Sequence, residues 1–326
     1  MEIMIGAESD GKRLSDYLSR SLGLSRRSVS ALKKLDCGIM LNGRHVTVAA
    51  TVHTDDILVL ACEDEESAEN IVPTELPLDI IYEDADIIAL NKPPKMPTHP
   101  SHGHYTDTLA NALAFYYAQK GIPFVFRVIN RLDRDTSGIV LVAKNRHSAY
   151  RLSDEIGRRK IGKCYLALTD GAPVEKSGKI TAYIRRAAES IIVREASDTY
   201  CDGTSCSETL YRVIGEKSGI GIVGAMPITG RTHQLRLHFA HIGHPVIGDS
   251  LYGNPSGLID RQALHAFSLT FSHPTSGRQM TLTAPISADI AAVINASGAD
   301  TRKISERLSV IGTEFFETKS SERNST

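Results

Sequence analysis

The chain has no tryptophan, only five cysteines among 326 residues, and almost no net charge, formally −1 at pH 7. Each shortage removes a class of protein. Cys37, Cys62, Cys164, Cys201 and Cys206 form no Cys-x-x-Cys pair, and an odd, scattered set implies reduced thiols in a cytosolic protein rather than a disulfide framework. No apolar run approaches the ~20 residues of a bilayer-spanning helix. The opening Met1-Glu-Ile-Met-Ile-Gly6 is too polar and too short in its apolar part for a secretory signal. A cytoplasmic protein without a membrane partner is expected. The balanced charge gives no global sign of a nucleic-acid binder, although whole-chain charge conceals local patches. A hydrophobic content of 41% and a charged content of 23% are ordinary for a globular protein, and the length suits one large domain or two smaller ones.

Composition shifts divide the chain into residues 1–62, an acidic and proline-bearing linker 63–77 (Glu63-Asp-Glu-Glu-Ser-Ala-Glu69, then Pro73 and Pro77), a body 78–295, and a polar tail 296–326 expected to fray. Leu308, Val310, Ile311, Phe315 and Phe316 are the tail residues able to dock. In the first unit Leu14, Tyr17 and Leu18 lie at helical spacing. A second helix is expected over 26–35, capped by Ser25 and stopped by Gly38. Asn42-Gly43 signals a hairpin turn, with strands at 45–48 and 56–60. Arg26, Arg27, Lys33, Lys34 and Arg44 supply a positive surface.

In the body, strands are expected at 80–82, 87–90, 128–129, 139–143, 164–168, 190–195, 208–214, 221–226, 263–271 and 279–283. Helices are expected from an Asp107 cap through Tyr117 and over 147–159. Strands this numerous, without a βαβ rhythm, indicate an α+β architecture.

The most informative stretch is Val128-Ile-Asn-Arg-Leu-Asp-Arg-Asp-Thr-Ser-Gly-Ile-Val-Leu-Val142, two apolar strands bracketing a turn rich in charge. A carboxylate set among arginines stays ionised, and the turn fixes where it points. Spacing alone would leave Asp133 an ordinary turn residue.

Asn130-Arg-Leu-Asp-Arg-Asp-Thr-Ser-Gly138 resembles the Arg-Leu-Asp-x-x-Thr-Ser-Gly signature of the RluA-type pseudouridine synthases. Three further segments are similar, in the family's order: Leu90-Asn-Lys-Pro-Pro94, Lys163-Cys-Tyr-Leu-Ala167, and Gly230-Arg-Thr-His-Gln-Leu-Arg-Leu-His238 followed by Gly243-His-Pro-Val-Ile-Gly-Asp249 and Tyr252-Gly253. The resemblance spans about 75–290. It departs at Asn130, where many relatives carry His. Leu24-Ser-Arg-Arg-Ser28, Asn42-Gly43 and Asp55-Asp56-Ile57 resemble the alpha-L RNA-binding module named after a ribosomal small-subunit protein.

What the resemblance implies is an isomerase acting on uridine in structured RNA, ribosomal RNA ahead of transfer RNA. No cofactor and no metal are implied. The fold it implies is α+β, a mixed, mainly antiparallel central sheet of the pseudouridine synthase type with flanking helices, plus a small N-terminal helix-helix-sheet RNA-binding unit. The reaction cleaves the bond from ribose C1′ to uracil N1 and rejoins the base through C5. Positive charge builds on the sugar, so a carboxylate either stabilises it or attacks covalently. By resemblance Asp133 is that carboxylate, Tyr165 stacks on the uracil and assists at C5, and Arg236 pairs with Asp133. Arg131, Arg134, Thr136, Arg231, His233 and Gln234 are the candidate RNA and substrate contacts, with Arg131 filling the space of a flipped base. Arg26, Arg27, Lys33, Lys34 and Arg44 form the accessory RNA-binding face.

Three rivals are weighed. His99, His102 and His104, or His238, His241 and His244, have spacings that a zinc hydrolase would use, but neither set matches a tight ligand motif. A non-catalytic RNA-binding or ribosome-assembly protein of the same fold is opposed by the intact Asp133, Tyr165 and Arg236. A serine hydrolase lacks the glycine two residues before Ser137.

Overall fold

Asn42 and Gly43 both take positive φ (50° and 75°), the backbone that a two-residue hairpin requires, and Leu41 pairs with Arg44 across them. In the computed structural model, which describes residues 2–22, 24, 29–30, 32–61, 71–188, 190 and 192–324, this hairpin belongs to a four-stranded sheet. Its strands are β1 (Glu2–Met4), β2 (Ile39–Leu41), β3 (Arg44–His45) and β4 (Ile57–Leu60), in the order β1-β4-β2-β3. A short helix, α1 (Leu14–Asp16), continues into a wider turn over Tyr17–Ser21. Ile5, Leu14, Leu18, Ile39, Leu58 and Leu60 form the core beneath it. Sequence reading missed β1 and expected a longer β3. Ser25, Arg26 and Arg27, part of the helix expected over 26–35, and residues 63–70 of the expected linker lie outside the described residues. Lys33, Lys34 and Arg44 are exposed.

The remaining strands are β5 (Ile80–Glu83), β6 (Ile87–Lys92), β7 (Arg127–Val128), β8 (Ser137–Ala143), β9 (Gly162–Asp170), β10 (Ser177–Arg186), β11 (Arg194–Ser197), β12 (Ser205–Lys217), β13 (Ile220–Pro227), β14 (Leu264–Ser272) and β15 (Gln279–Thr283). They form one eleven-stranded sheet, ordered β11-β10-β12-β13-β9-β14-β8-β6-β5, with β15 on β14 and β7 on β8. Among the described strands the β8·β14 pairing is parallel and the rest are antiparallel. This agrees with the mixed, mainly antiparallel sheet expected. Two expectations are corrected: β10 was missed, and the strand expected at 190–195 is β11, four residues further on at its start.

Helices α2 (Leu109–Gln119), α3 (Arg146–Gly157), α4 (Gln234–His241) and α5 (Ala288–Ala296) accompany the sheet. Thr108, not Asp107, caps α2: its hydroxyl accepts the Asn111 N–H while the Asn111 side chain accepts the Thr108 N–H. The tail expected to fray is instead a helix, α6 (Thr301–Asn324). Ile304, Leu308, Ile311 and Phe315, at spacings of four, three and four, are all buried in the main core. The helix finds room where β9 and β13 carry glycine. A Cβ on Gly224 would touch Ile311 and Leu308, and one on Gly162 would press within 2.8 Å of Phe316. Polarity misled the sequence reading because a single apolar stripe suffices when a sheet face is there to receive it.

Candidate active site

Gly138, Ala266 and Tyr165 stand in one row across three neighbouring strands, Gly138 opposite Ala266 and Ala266 opposite Tyr165. Gly138 has φ 111°, and a Cβ there would run into the Ala266 backbone, so no other residue fits. A bulge on β14 between Ala266 and Ser268 falls beside Tyr165, where such irregularities re-aim side chains. The loop 129–136 between β7 and β8 carries Asp133 above this row.

That loop is held by its backbone from several directions. Asn130 donates to Ile139 O (2.9 Å) and accepts from Leu141 N (2.8 Å), so its amide does the work of a strand partner for β8. Thr98 Oγ1 donates to Leu132 O (2.9 Å) and accepts from Leu132 N (3.2 Å). Lys92 is fully buried, and its Nζ donates to Arg134 O (3.0 Å), Pro93 O (2.8 Å) and Met96 O (2.8 Å). Burial pushes its pKa down to about 7, with Arg261 adding to the depression and Asp135 and Asp133 opposing it. Buried Arg261 donates to Asp135 O (2.9 Å) while its fork holds Asp289 at 2.6 and 2.8 Å. Lys92, Thr98 and Arg261 were missed by sequence reasoning. Only the placement of Lys92 in the Leu90–Pro94 segment signalled any of them.

The Asp133 side chain, in contrast, has no hydrogen bond to any described residue. Two basic groups approach one of its oxygens: Arg236 Nη1 lies 3.6 Å and His233 Nε2 4.0 Å from Oδ2. The carboxylate thus has a guanidinium close by and its lone pairs uncommitted. Arg236 spends its strongest bonds elsewhere. Its Nε and Nη2 donate to the two oxygens of buried Asp249, each at 2.6 Å. The expected pairing of Arg236 with Asp133 is present at 3.6 Å, and Asp249, quoted in the sequence without a role, is the partner that orients the guanidinium. The Arg236 pKa is raised: burial opposes the charge, and the Asp249 hydrogen bonds outweigh it.

Tyr165 is nearly buried, and burial, reinforced by the Asp133 charge, pushes its phenol above the ordinary range. Its phenol is therefore held neutral. His233 takes φ 59°, a left-handed conformation uncommon outside glycine, immediately before α4. Its Nδ1 lies 2.8 Å from the Tyr252 hydroxyl.

The other expected contacts divide into two groups. Arg131 and Arg231 are exposed beside the site residues. Arg134 is exposed but paired with Asp135 (2.9 Å). Gln234 and Thr136 are buried. Gln234 accepts from Thr229 Oγ1 (2.7 Å) and Arg231 N (3.0 Å) and donates to Glu208 O (2.9 Å) and Thr209 Oγ1 (3.0 Å). With its amide so occupied, it shapes the 229–231 turn rather than presenting a free group. Thr136 accepts from Gln262 (3.3 Å).

Five of the six histidines of the zinc reading take separate partners: His99 meets Pro100 O, His104 meets Asp107, His238 meets Ser207, His241 meets Asp198 and His244 meets Asp170 O. Among the described residues, the group able to gather around a metal is Asp84 and Asp86 of the β5–β6 turn with His273 just after β14. Their side chains already bond one another and Tyr82, Asn145 and Ser148.

Residues 86–241 match the family model described as RNA pseudouridylate synthase. The chain is 35% identical over 273 residues to an uncharacterised RNA pseudouridine synthase, YjbO, of Bacillus subtilis, covering 84% of this chain and 95% of that one. It is 33% identical over 319 residues to the ribosomal large subunit pseudouridine synthase D of Yersinia pestis, covering 93% and 96%. Among solved structures, human RNA pseudouridylate synthase domain containing 1 superposes with a TM-score of 0.56 at 29% identity, covering 67% of this chain and 87% of that one.

Proposed function

The chain belongs to the RNA pseudouridine synthase family and is an isomerase acting on RNA, and from that premise we propose that it converts uridine in ribosomal RNA to pseudouridine with Asp133 as the reacting carboxylate. The observation that carries the assignment is the state of Asp133: no hydrogen bond to a described residue, one oxygen 3.6 Å from a buried guanidinium, and a backbone tethered on both sides. Such a group meets developing positive charge at ribose C1′ without first breaking bonds of its own. Arg236, oriented by Asp249, sets a positive charge beside it. Tyr165 supplies a flat neutral face for the uracil, which must leave the RNA stack to reach this depth.

Ribosomal RNA is favoured over transfer RNA by the names of several relatives, ribosomal large subunit pseudouridine synthases D. Arg131 and Arg231, exposed beside the site, and Lys33, Lys34 and Arg44 on the N-terminal sheet unit are the proposed phosphate contacts, together with Arg26 and Arg27. Docking of RNA by residues 1–62 would appear as weaker affinity, with chemistry intact on saturating minimal substrate, when those residues are removed.

The decisive experiment is tritium release from C5-tritiated uridine in ribosomal and transfer RNA lacking the modification. Wild type is expected to release tritium from ribosomal RNA and Asp133→Ala to release none. Equal release by both would overturn the assignment of Asp133. No release by wild type, with RNA bound, would favour a non-catalytic member of the fold.

A further inference from the structure

Tyr252 reaches between two parts of the site. Its hydroxyl oxygen accepts the Arg194 N–H (2.9 Å), its ring lies 5.1 Å from the Arg236 guanidinium, and His233 Nδ1 is 2.8 Å from the same hydroxyl. A phenol has one hydrogen to give. If His233 Nδ1 carried the proton, two donors would converge on the Tyr252 oxygen, and an imidazole lone pair at Nε2 would face the Asp133 carboxylate. If Tyr252 donates instead, Nδ1 accepts, the neutral ring carries its hydrogen on Nε2, and that N–H points at Asp133 Oδ2. The second arrangement gives the Tyr252 hydrogen an acceptor and sets an N–H rather than a lone pair 4.0 Å from the carboxylate.

We propose that His233, latched in this tautomer by Tyr252, is a positioning residue for the isomerisation: with Arg236 it draws Asp133 Oδ2 inward and leaves Oδ1 to face the ribose. Neither the family match nor the Asp133 assignment requires this role, although the role rests on that assignment. His233 stays neutral at pH 7, because burial lowers its pKa below the usual 6.5, Arg236 and Arg194 add to the fall, and Asp133 and Asp249 oppose it. A second proton, arriving at Nδ1, would turn the Tyr252 hydroxyl away and break the latch. The rate therefore has an acid limb set by His233.

The test compares wild type with His233→Ala, His233→Gln and Tyr252→Phe across pH, reading kcat and KM for ribosomal RNA. His233→Ala should lose about tenfold or more in kcat with KM little changed, as expected for a lost group that orients rather than binds. His233→Gln, whose amide places a donor near the Nε2 position, should recover most of that loss and lack the acid limb. Tyr252→Phe should lower kcat severalfold. A rise in KM at constant kcat would make His233 an RNA contact and overturn the proposal, as would an acid limb surviving in His233→Gln. Ring nitrogen NMR reads the tautomer independently of turnover. Protonation at Nδ1 in wild type at pH 7.5 overturns the latch even if the enzyme is active. A silent wild type with the hydrogen on Nε2 would instead place the failure in the functional reading.

Discussion

Arg236 holds Asp249 at 2.6 Å through two hydrogen bonds and meets Asp133 only at 3.6 Å. One buried guanidinium thus serves two carboxylates unequally: the near one fixes its geometry, and the far one receives its field. The inequality suits chemistry in which the second carboxylate must form a new interaction.

Removing Asp249 separates the two tasks. Asp249→Ala leaves a buried arginine without its partner, a loss of about 3–5 kcal/mol in comparable pairs. Asp249→Asn keeps an acceptor but loses the charge. Urea unfolding should show the alanine variant markedly destabilised, while single-turnover rates fall in both. Normal turnover in Asp249→Asn would show that Arg236 needs no anionic support.

Asn130 provides a second test, at the position where the sequence departs from the signature that it resembles. Its amide spans Ile139 O and Leu141 N. A neutral histidine offers one donor and one acceptor at similar reach. Asn130→His should keep activity within severalfold. Asn130→Ala, leaving two buried backbone groups unpaired, should lose about 1–3 kcal/mol per group in stability. Thermal unfolding and tritium release together distinguish the two.

The stability profile in acid follows from two buried histidines. Burial lowers His238 and His265 to about 4. In the unfolded chain they titrate near their ordinary value, about 6.5. The unfolded state therefore binds more protons between these limits, and stability falls as pH drops from 6.5 towards 4 by up to about 1.4 kcal/mol per unit for each histidine. Below pH 4 the loss is complete. Chemical denaturation at pH 7.5, 6 and 4.5 measures it; a flat profile would mean that neither ring is desolvated.

The C-terminal helix supplies a mechanical test. Leu308 is fully buried and touches the space left by Gly224. Leu308→Ala should cost about 2–5 kcal/mol. Val310→Ala, at an exposed position on the same helix, should change stability by less than about 0.5 kcal/mol. Comparable effects at the two positions would mean that the helix is not seated on the sheet.

How much of this was legible in the sequence depended on distance along the chain. The Asp133 turn, the Asn42-Gly43 hairpin and Tyr165 on β9 could be read because their determinants lie within a few residues. The partners that give Asp133 its setting could not. Arg261 is 126 residues from the Asp135 carbonyl that it binds, and Lys92 is 42 from Arg134. Asp249 lies 13 residues from Arg236, near enough to have been noticed and without a periodicity to show it. Gln234 was expected at the RNA because it sits in a polar motif, whereas its burial is a tertiary fact. Strand β10 was missed although Ile180, Ala182 and Ile184 alternate with Thr181, Tyr183 and Arg185, a period-two pattern that the reading passed over.

The parallel pairing of β8 with β14 also sets an order of events during synthesis. A growing chain ended near residue 255 already contains Asp133, Tyr165, Arg236, Asp249 and Tyr252. It lacks Arg261, His265 and Ala266, on which the Asp133 loop and Gly138 rest. Pairings this far apart form late. About the last fifth of the chain must therefore be made before the Asp133 loop is anchored, and a fragment that already holds these five side chains still lacks the strand on which their setting depends.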